Sequence, residues 1–163
     1  PYSNPEFNGL PKQAAPAGSL PYPDFLKALK EKRAEVYERG VRLASALVKA
    51  GVKKGEVVTV MAPNLPAMFE AHFGVAMAGA VLNTLNTRLD ISTIAYILDH
   101  ADTKILISDT AFSATMREAM EQSPNKALTV IDIVDEQDAD SAAGQRLGEI
   151  DYENFIAGGD ADY

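Results

Sequence analysis

The sequence predicts an α/β protein in which helices alternate with the strands of a parallel sheet. Four short apolar runs alternate with longer segments of helical periodicity, and the connections between them are short. The first run, Val57–Met61, is continuously apolar, as in strands that are buried on both faces. Together these observations predict right-handed βαβ crossovers.

The first 33 residues do not share this pattern. Residues 1–23 are rich in Pro, Ala, Gly and Asn, which predicts an irregular arm, and residues 24–33 form a short amphipathic stretch. Apolar residues recur at spacings of three and four over 34–50, which predicts a helix. We therefore expect an arm with a short helix over 1–33 and an α/β domain over 34–163.

The other elements are predicted from the same signals. A helix is expected to start at Asn64 as its cap, to accept Pro66 in its first turn and to end at Gly79. Further strands are expected at 80–85, 104–108 and 128–134, and further helices at 90–100, 109–122 and within 152–160.

The composition limits the classes of function. The net charge is −8 and the pI about 4.7, which argues against nucleic acid or an anionic membrane as the main partner. The absence of cysteine excludes disulfides, thiolate metal sites and a cysteine nucleophile. No apolar stretch reaches the roughly 18 residues of a membrane span, so we expect no span and a cytoplasmic location. Because the chain starts at Pro1 without methionine, we expect it to be trimmed from a longer protein.

Few residues qualify as catalytic or metal-binding groups. His72 lies in mid-helix and is expected to be packed or half-exposed, whereas His100 is explained by its favourable position near a helix C-terminus. The acidic run 135–140 lacks the central glycine and terminal glutamate of a calcium loop, so a solvated loop is expected. No nucleophile elbow, P-loop or dinucleotide-binding glycine motif is present. The small residues between Gly74 and Gly79 are expected to allow close packing of a helix on the sheet.

Residues 35–163 resemble the N-terminal subdomain of acyl-CoA synthetases, which belong to the adenylate-forming superfamily of AMP-dependent synthetases and ligases. The resemblance is strongest towards bacterial medium-chain enzymes and plant acyl-activating enzymes. It rests on VVTVMAPNLPAMFEAHFGVAMAGA at 57–80, VLNTLNTRLD at 81–90 and YILDHADTKILISD at 96–109, with further matches at 37–47 and 152–163. Residues 1–33 depart from the usual start of the family, which implies a missing or rebuilt edge element and a sheet edge open to self-association.

The resemblance implies a two-step ligase that couples a carboxylic acid to coenzyme A. ATP and the acid form an acyl-adenylate and pyrophosphate, with Mg²⁺ balancing the phosphate charge, and the thiol of coenzyme A then displaces AMP to give a thioester. In such enzymes the phosphate-binding T-S-G-T-T-G loop and the catalytic lysine lie further along the chain. We therefore expect a fragment of a ligase of fatty acid metabolism, with no catalytic residue, no retained cofactor and the remainder of the ligase as its partner.

The resemblance also implies one set of site residues. In related synthetases the loop after the second matched strand approaches the coenzyme A channel, which places Asn86, Thr87 and Arg88 near the pantetheine or a phosphate. The planar donors of Arg88 suit a phosphate. Alternatively, Asn86 and Thr87 shape the turn while Arg88 pairs with a nearby carboxylate, and this second interpretation is the one we favour.

Two other classes of function stay open. One is a non-enzymatic association module, such as a homodimer, that keeps the ligase-derived fold. The other is a small-ligand-binding α/β domain unrelated to ligases. A strictly monomeric mass would count against the first, and a reading frame that continues into T-S-G-T-T-G would eliminate the second.

Overall fold

A computed structural model describes the backbone of residues 22–163 and the side chains from Arg33 onward. The arm predicted for residues 1–23 lies outside the described residues, except for Tyr22 and Pro23, which begin a helix. This helix, α1, runs Tyr22–Lys49, so the two helices predicted at 24–33 and 34–50 are continuous.

Residues 34–163 form a compact unit around a five-stranded sheet. The strands are β1 (Val57–Met61), β2 (Val81–Thr84), β3 (Thr103–Asp109), β4 (Thr129–Ile133) and β5 (Ile150–Asp151). The helices after α1 are α2 (Pro66–Met77), α3 (Ile91–His100), α4 (Ser113–Gln122), α5 (Ala139–Ala143) and α6 (Tyr152–Ala157), with a 3₁₀ turn at Thr110–Phe112.

All pairs of neighbouring strands are parallel, and their order is β2-β1-β3-β4-β5. The predicted α/β fold with a parallel sheet is therefore confirmed. The sequence predicted four strands and missed β5, because a two-residue strand carries no periodicity. Among the described residues, no helix is both long and apolar enough to cross a membrane.

Helices cover both faces of the sheet. On one face, α1, α2 and α6 pack through Leu43, Leu47, Met68, Val75 and Ile156 onto β1, β3 and β4. On the other face, α3 and α4 pack through Ile94, Leu98 and Met116 onto Leu106 and Val130. From β1 the chain moves to β2 at the edge of the sheet, and it then crosses back past β1 to form β3. The strand order therefore reverses between β1 and β3. In open parallel sheets such a reversal leaves a crevice at the carboxyl ends of the strands.

Two glycines end helices in the same way. Gly51 and Gly79 have φ values of 88° and 74°, which side chains with a Cβ rarely adopt. The following amides close the helices: Val52 N–H donates to Leu47 O, and Ala80 N–H donates to Val75 O. These are the bonds of the Schellman motif, so both predicted helix ends are confirmed.

The predicted start of α2 is wrong by one residue. Leu65 takes the N-cap position instead of Asn64, and no side chain caps the helix. Pro66 explains why the cap is dispensable, since it occupies the first turn with its φ already fixed and has no N–H to satisfy. The sequence allows Asp90 or Ser92 to cap α3, and Asp90 does so by accepting a hydrogen bond from Thr93 N–H.

Gly74 has a different packing role from the predicted one. It lies against α1 and not against the sheet, because a Cβ at Gly74 would come within 2.7–2.9 Å of Leu43 and of the Gly40 carbonyl. The missing side chain therefore sets the close approach of α1 and α2.

Candidate functional site

The carboxyl ends of the strands bring the loops of the chain to one edge of the sheet. Because the strands are parallel, the loops after β1, β2, β3 and β4 all emerge there. Asn64 follows β1, Asn86 to Arg88 follow β2, and the acidic run 135–140 begins just after β4. This edge is the natural place for a ligand site in such a fold.

The loop after β2 holds the residues predicted to approach coenzyme A. Asn86 shapes the turn, because its side-chain Oδ1 accepts a hydrogen bond from Arg88 N–H at 2.9 Å and its carbonyl accepts one from Leu89 N–H. Asn86, Thr87 and Arg88 are all exposed. Within the described part of the chain no carboxylate lies within ion-pair distance of Arg88. The turn-shaping role of Asn86 is therefore seen, whereas the ion pair proposed for Arg88 is not.

A partly buried ionic network, which we call the Arg39 network, joins three helices near the same edge. It consists of Arg39 on α1, Glu70 on α2, and Tyr152 and Glu153 on α6. Arg39 donates through Nε and Nη2 to the two oxygens of Glu70, and through Nη1 and Nη2 to those of Glu153. Tyr152 Oη donates to Glu70 Oε2 at 2.8 Å. With an exposure of 2%, Glu70 depends on these partners for its charge to be tolerated.

The Arg39 network shifts the pKa values of Arg39 and Tyr152. Hydrogen bonds to Glu153 and Glu70 and their negative charges raise the pKa of Arg39 above its ordinary value, against the opposing effect of burial. Burial, followed by the charge of Glu70, raises the pKa of Tyr152 well above its ordinary value of 10.0. Arg39 therefore stays charged and Tyr152 stays protonated at neutral pH. Both are suited to holding the helices in place and unsuited to transferring protons.

A groove of about 600 Å³ lies beside the Arg39 network. It is bounded by the start of α2 and by the loop after β4, and apolar side chains such as Leu65 and Val134 line it together with Arg146 and Glu136. A smaller crevice of about 350 Å³ lies at the reversal of strand order and includes Asn64 and Asp109 in its lining. Both are concave surfaces with mixed polarity, as small-molecule or peptide sites require.

The end of the described chain is fastened along α1. Arg42 donates to the carbonyl of Gly159, and Lys49 Nζ donates to the carbonyl of Gly158 and to Asp160. Ser45 Oγ accepts from Asp160 N–H at 3.0 Å. The hydrogen bond and charge of Lys49 lower the pKa of Asp160. These contacts hold residues 158–160 against α1.

The histidines and the acidic run make local contacts. His72 is exposed, with Nδ1 at 2.8 Å from the Met68 carbonyl, and the His100 ring stacks on Tyr96. Within the acidic run, Asp138 caps α5 by accepting from Asp140 and Ser141 N–H. In the described part of the chain no three His, Asp or Glu side chains are grouped to hold a metal ion.

Sequence reasoning missed the Arg39 network. Its members are far apart along the chain, 31 positions for Arg39 and Glu70 and 82 for Glu70 and Tyr152. One signal was available: Glu70 is the only Asp, Glu, Lys or Arg between Val57 and Thr87. An isolated charge in an apolar helix indicates a buried and paired group.

Comparison with known proteins gives a consistent result. The model of the family described as AMP-binding enzyme matches residues 32–154. The chain is 45% identical over 130 residues to the peroxisomal benzoate–CoA ligase of Arabidopsis thaliana, covering 77% of this chain and 22% of that protein. It is 39% identical over 137 residues to a peroxisomal acetate/butyrate–CoA ligase of the same plant, covering 79% and 24%. The chain thus spans about a quarter or less of the length of these relatives.

Solved structures show the same fold. The benzoate CoA ligase from Burkholderia xenovorans LB400 superposes with a TM-score of 0.63 at 26% identity, over 77% of this chain and 22% of that one. The anthranilate CoA ligase AuaEII, solved with anthranoyl-AMP, superposes with a TM-score of 0.66 over 77% and 23%, and at 21% identity it supports the fold alone. The five-stranded sheet corresponds to part of the N-terminal domain of adenylate-forming enzymes.

Proposed function

The chain belongs to the AMP-binding enzyme family, and on that premise we propose that it forms part of the N-terminal subdomain of an ATP-dependent carboxylic acid–CoA ligase. The observation that carries the proposal is the 45% identity to a plant acid–CoA ligase over 130 residues. In this proposal the complete enzyme makes an acyl-adenylate from ATP and a carboxylic acid and then an acyl-CoA, using Mg²⁺ and coenzyme A. The chain itself supplies scaffold and not catalysis.

The geometry of the site supports a scaffold role for this chain. The Arg39 network holds Arg39 charged and Tyr152 protonated, so the half-buried arginine and the buried tyrosine serve to join α1, α2 and α6. The contacts of Arg42 and Lys49 hold residues 158–160 against α1. A rigid subdomain is what a phosphate-binding loop and a mobile domain need as support.

The isolated 163-residue chain is expected to show no exchange between ATP and pyrophosphate with benzoate, acetate or butyrate as the acid. A chimera, in which this chain replaces the segment of the Arabidopsis benzoate–CoA ligase that it matches, is expected to form an acyl-CoA. The matched control is the unmodified plant enzyme. Activity of the isolated chain would contradict the scaffold role. A folded but inactive chimera would contradict the proposal that the chain forms part of a working ligase.

We further propose that Arg88 binds a phosphate of coenzyme A. Its guanidinium is exposed, without an ion-pair partner among the described residues, and lies at the carboxyl edge of the sheet. These features fit a phosphate ligand. Asn86 would hold the loop in shape, and Thr87 lies between them.

Replacing Arg88 with alanine in the chimera is expected to raise the KM for coenzyme A by about tenfold, the value of one charge-assisted contact. Exchange between ATP and pyrophosphate should not change, because coenzyme A takes no part in adenylation. Arg117→Ala, which removes an exposed arginine on α4, is the matched control. If the rates of adenylation and of thioester formation fell equally, Arg88 would act through folding instead.

The sequence-based expectation of a cytoplasmic location stays a prediction. Both plant relatives described above are named as peroxisomal, and they share about a quarter or less of their length with this chain.

A further inference from the structure

A crevice lies at the carboxyl edge of the sheet, where the strand order reverses between β1 and β3. Its volume is about 350 Å³, and it is walled by the loops that follow β1, β3 and β4. Within the described part of the chain its lining carries four carboxylates and no basic side chain. The four are Asp109, Asp135, Asp138 and Asp140. Leu65 and Asp135 line this crevice and also the larger groove of about 600 Å³, so the two cavities adjoin.

Asp109 is a buried carboxylate whose hydrogen bonds the protein supplies only in part. It is 1% exposed, and its Oδ1 accepts from Ala111 N–H at 2.9 Å. Its Oδ2 accepts from no donor and pairs with no cation among residues 33–163. No fully buried side-chain oxygen in that range lacks a partner, so Oδ2 must open into the crevice that Asp109 lines. A buried carboxylate oxygen without a donor is costly, which indicates that a ligand supplies the donor.

The other acceptors in the crevice narrow the class of ligand. The side-chain amide of Asn64 makes no hydrogen bond to another described residue. Asp138 already caps α5, whereas Asp135 accepts through Oδ1 from Gln137 N–H alone. The carboxylates of the described residues are not grouped in threes, as a metal ion requires. Spaced acceptors suit an organic cation instead, and an ammonium group brings three donors together with its charge.

An apolar strip leads from the crevice into the groove. Leu65 lines both cavities, and the groove continues along Pro66, Ile133 and Val134. Val134 is 37% exposed, so part of this strip is in contact with water. A carbon chain attached to the ammonium group would cover the strip, and removing apolar surface from water favours binding in proportion to its area.

We propose that the crevice binds the ammonium group of an aliphatic amine, whose carbon chain lies along the apolar strip of the groove. Asp109 Oδ2 accepts from the ammonium group, and Asp135 and the amide oxygen of Asn64 are further acceptors in the same crevice. A simple amine carries a positive charge at neutral pH, as the side chain of lysine does. The inference goes beyond the proposed function and does not depend on it.

The test is a calorimetric titration of the 163-residue chain with pentylamine at constant ionic strength. Asp109→Asn is expected to weaken binding by about tenfold, because it removes the charge but keeps the oxygen that accepts from Ala111 N–H. Asp99→Asn is the matched control, since Asp99 is exposed on α3 and lies outside both cavities. It removes the same unit of charge and should change the affinity by less than about twofold.

Two further measurements locate the ligand. Pentylamine should bind at least about fivefold more tightly than methylamine, because only its chain reaches the apolar strip. In NMR spectra the amide signals of Ala111 and Gln137, which donate to Asp109 and Asp135, should shift on addition of pentylamine. Asp135→Asn, which keeps the acceptor for Gln137 N–H, should weaken binding by about threefold and serves as a second variant if Asp109→Asn does not fold.

The alternatives give different results. Equal weakening by Asp109→Asn and Asp99→Asn would overturn the proposal, because the amine would then respond only to the net charge of −8. Displacement of pentylamine by Mg²⁺ at the same ionic strength would also overturn it, since a metal ion would then be the ligand. Equal affinities for methylamine and pentylamine would contradict the placement of the chain in the groove. If Asp109→Asn does not fold, an unchanged affinity in Asp135→Asn would overturn the site.

Discussion

Replacing Arg39 with methionine is expected to lower the free energy of unfolding by about 3–5 kcal/mol, the usual cost of leaving one buried charge without its partner. The substitution keeps the apolar stem of the side chain but removes the donors that reach both oxygens of Glu70. Only Tyr152 Oη then remains to stabilise the Glu70 carboxylate. Urea denaturation at pH 7 of the wild type and the variant measures the difference.

The charge of Glu70 can be separated from the packing of Arg39 by a second substitution. Glu70→Gln in the Arg39→Met background should recover most of the loss, because the amide is neutral and its oxygen still accepts from Tyr152.

Arg42→Met provides the matched control for Arg39→Met. Arg42 lies one turn further along α1 and forms an exposed ion pair with Glu38, besides its hydrogen bond to Gly159. Exposed pairs contribute about 0–1 kcal/mol, so this variant should lose far less stability. Equal losses for the two variants, or no recovery by Glu70→Gln, would show that the Arg39 network does not stabilise the fold through the charge of Glu70.

The parts of the fold that were predictable have local signals. The strand Val57–Met61 is marked by a continuous apolar run, and the ends of α1 and α2 by Gly51 and Gly79, whose positive φ values the structure confirms. These features depend only on neighbouring residues, so the sequence is sufficient to locate them. The strand β5 could not be found in this way, since it exists only through its pairing with β4.

The candidate site was less predictable because it depends on tertiary contacts. Arg39, Glu70 and Tyr152 belong to three different helices, and no spacing rule relates them. The predicted role of Asn86 in its turn was accessible, because its bond to Arg88 N–H spans two residues. The proximity of Arg88 to coenzyme A came from resemblance alone, and it stays a prediction until the KM is measured.

Gly74→Ala and Gly40→Ala are expected to change stability in opposite directions, although both place alanine in the contact between α1 and α2. At Gly74 the new Cβ would lie 2.9 Å from the Gly40 carbonyl and from Leu43 Cβ, which no side-chain rotation can relieve. The two helices must then separate, at a cost of about 1–3 kcal/mol. At Gly40 the new Cβ would meet Phe73 Cβ at 3.8 Å, an ordinary contact.

Because Gly40 lies inside α1, where alanine favours the helix, Gly40→Ala should stabilise the protein by up to about 1 kcal/mol. Urea midpoints of the two variants, measured side by side with the wild type, check both signs. If Gly74→Ala were neutral, α1 and α2 would not be in the close contact that the structure shows. If Gly40→Ala were as harmful as Gly74→Ala, the contact would be tight on both helices, and Phe73 would be held against α1 more firmly than its exposure indicates.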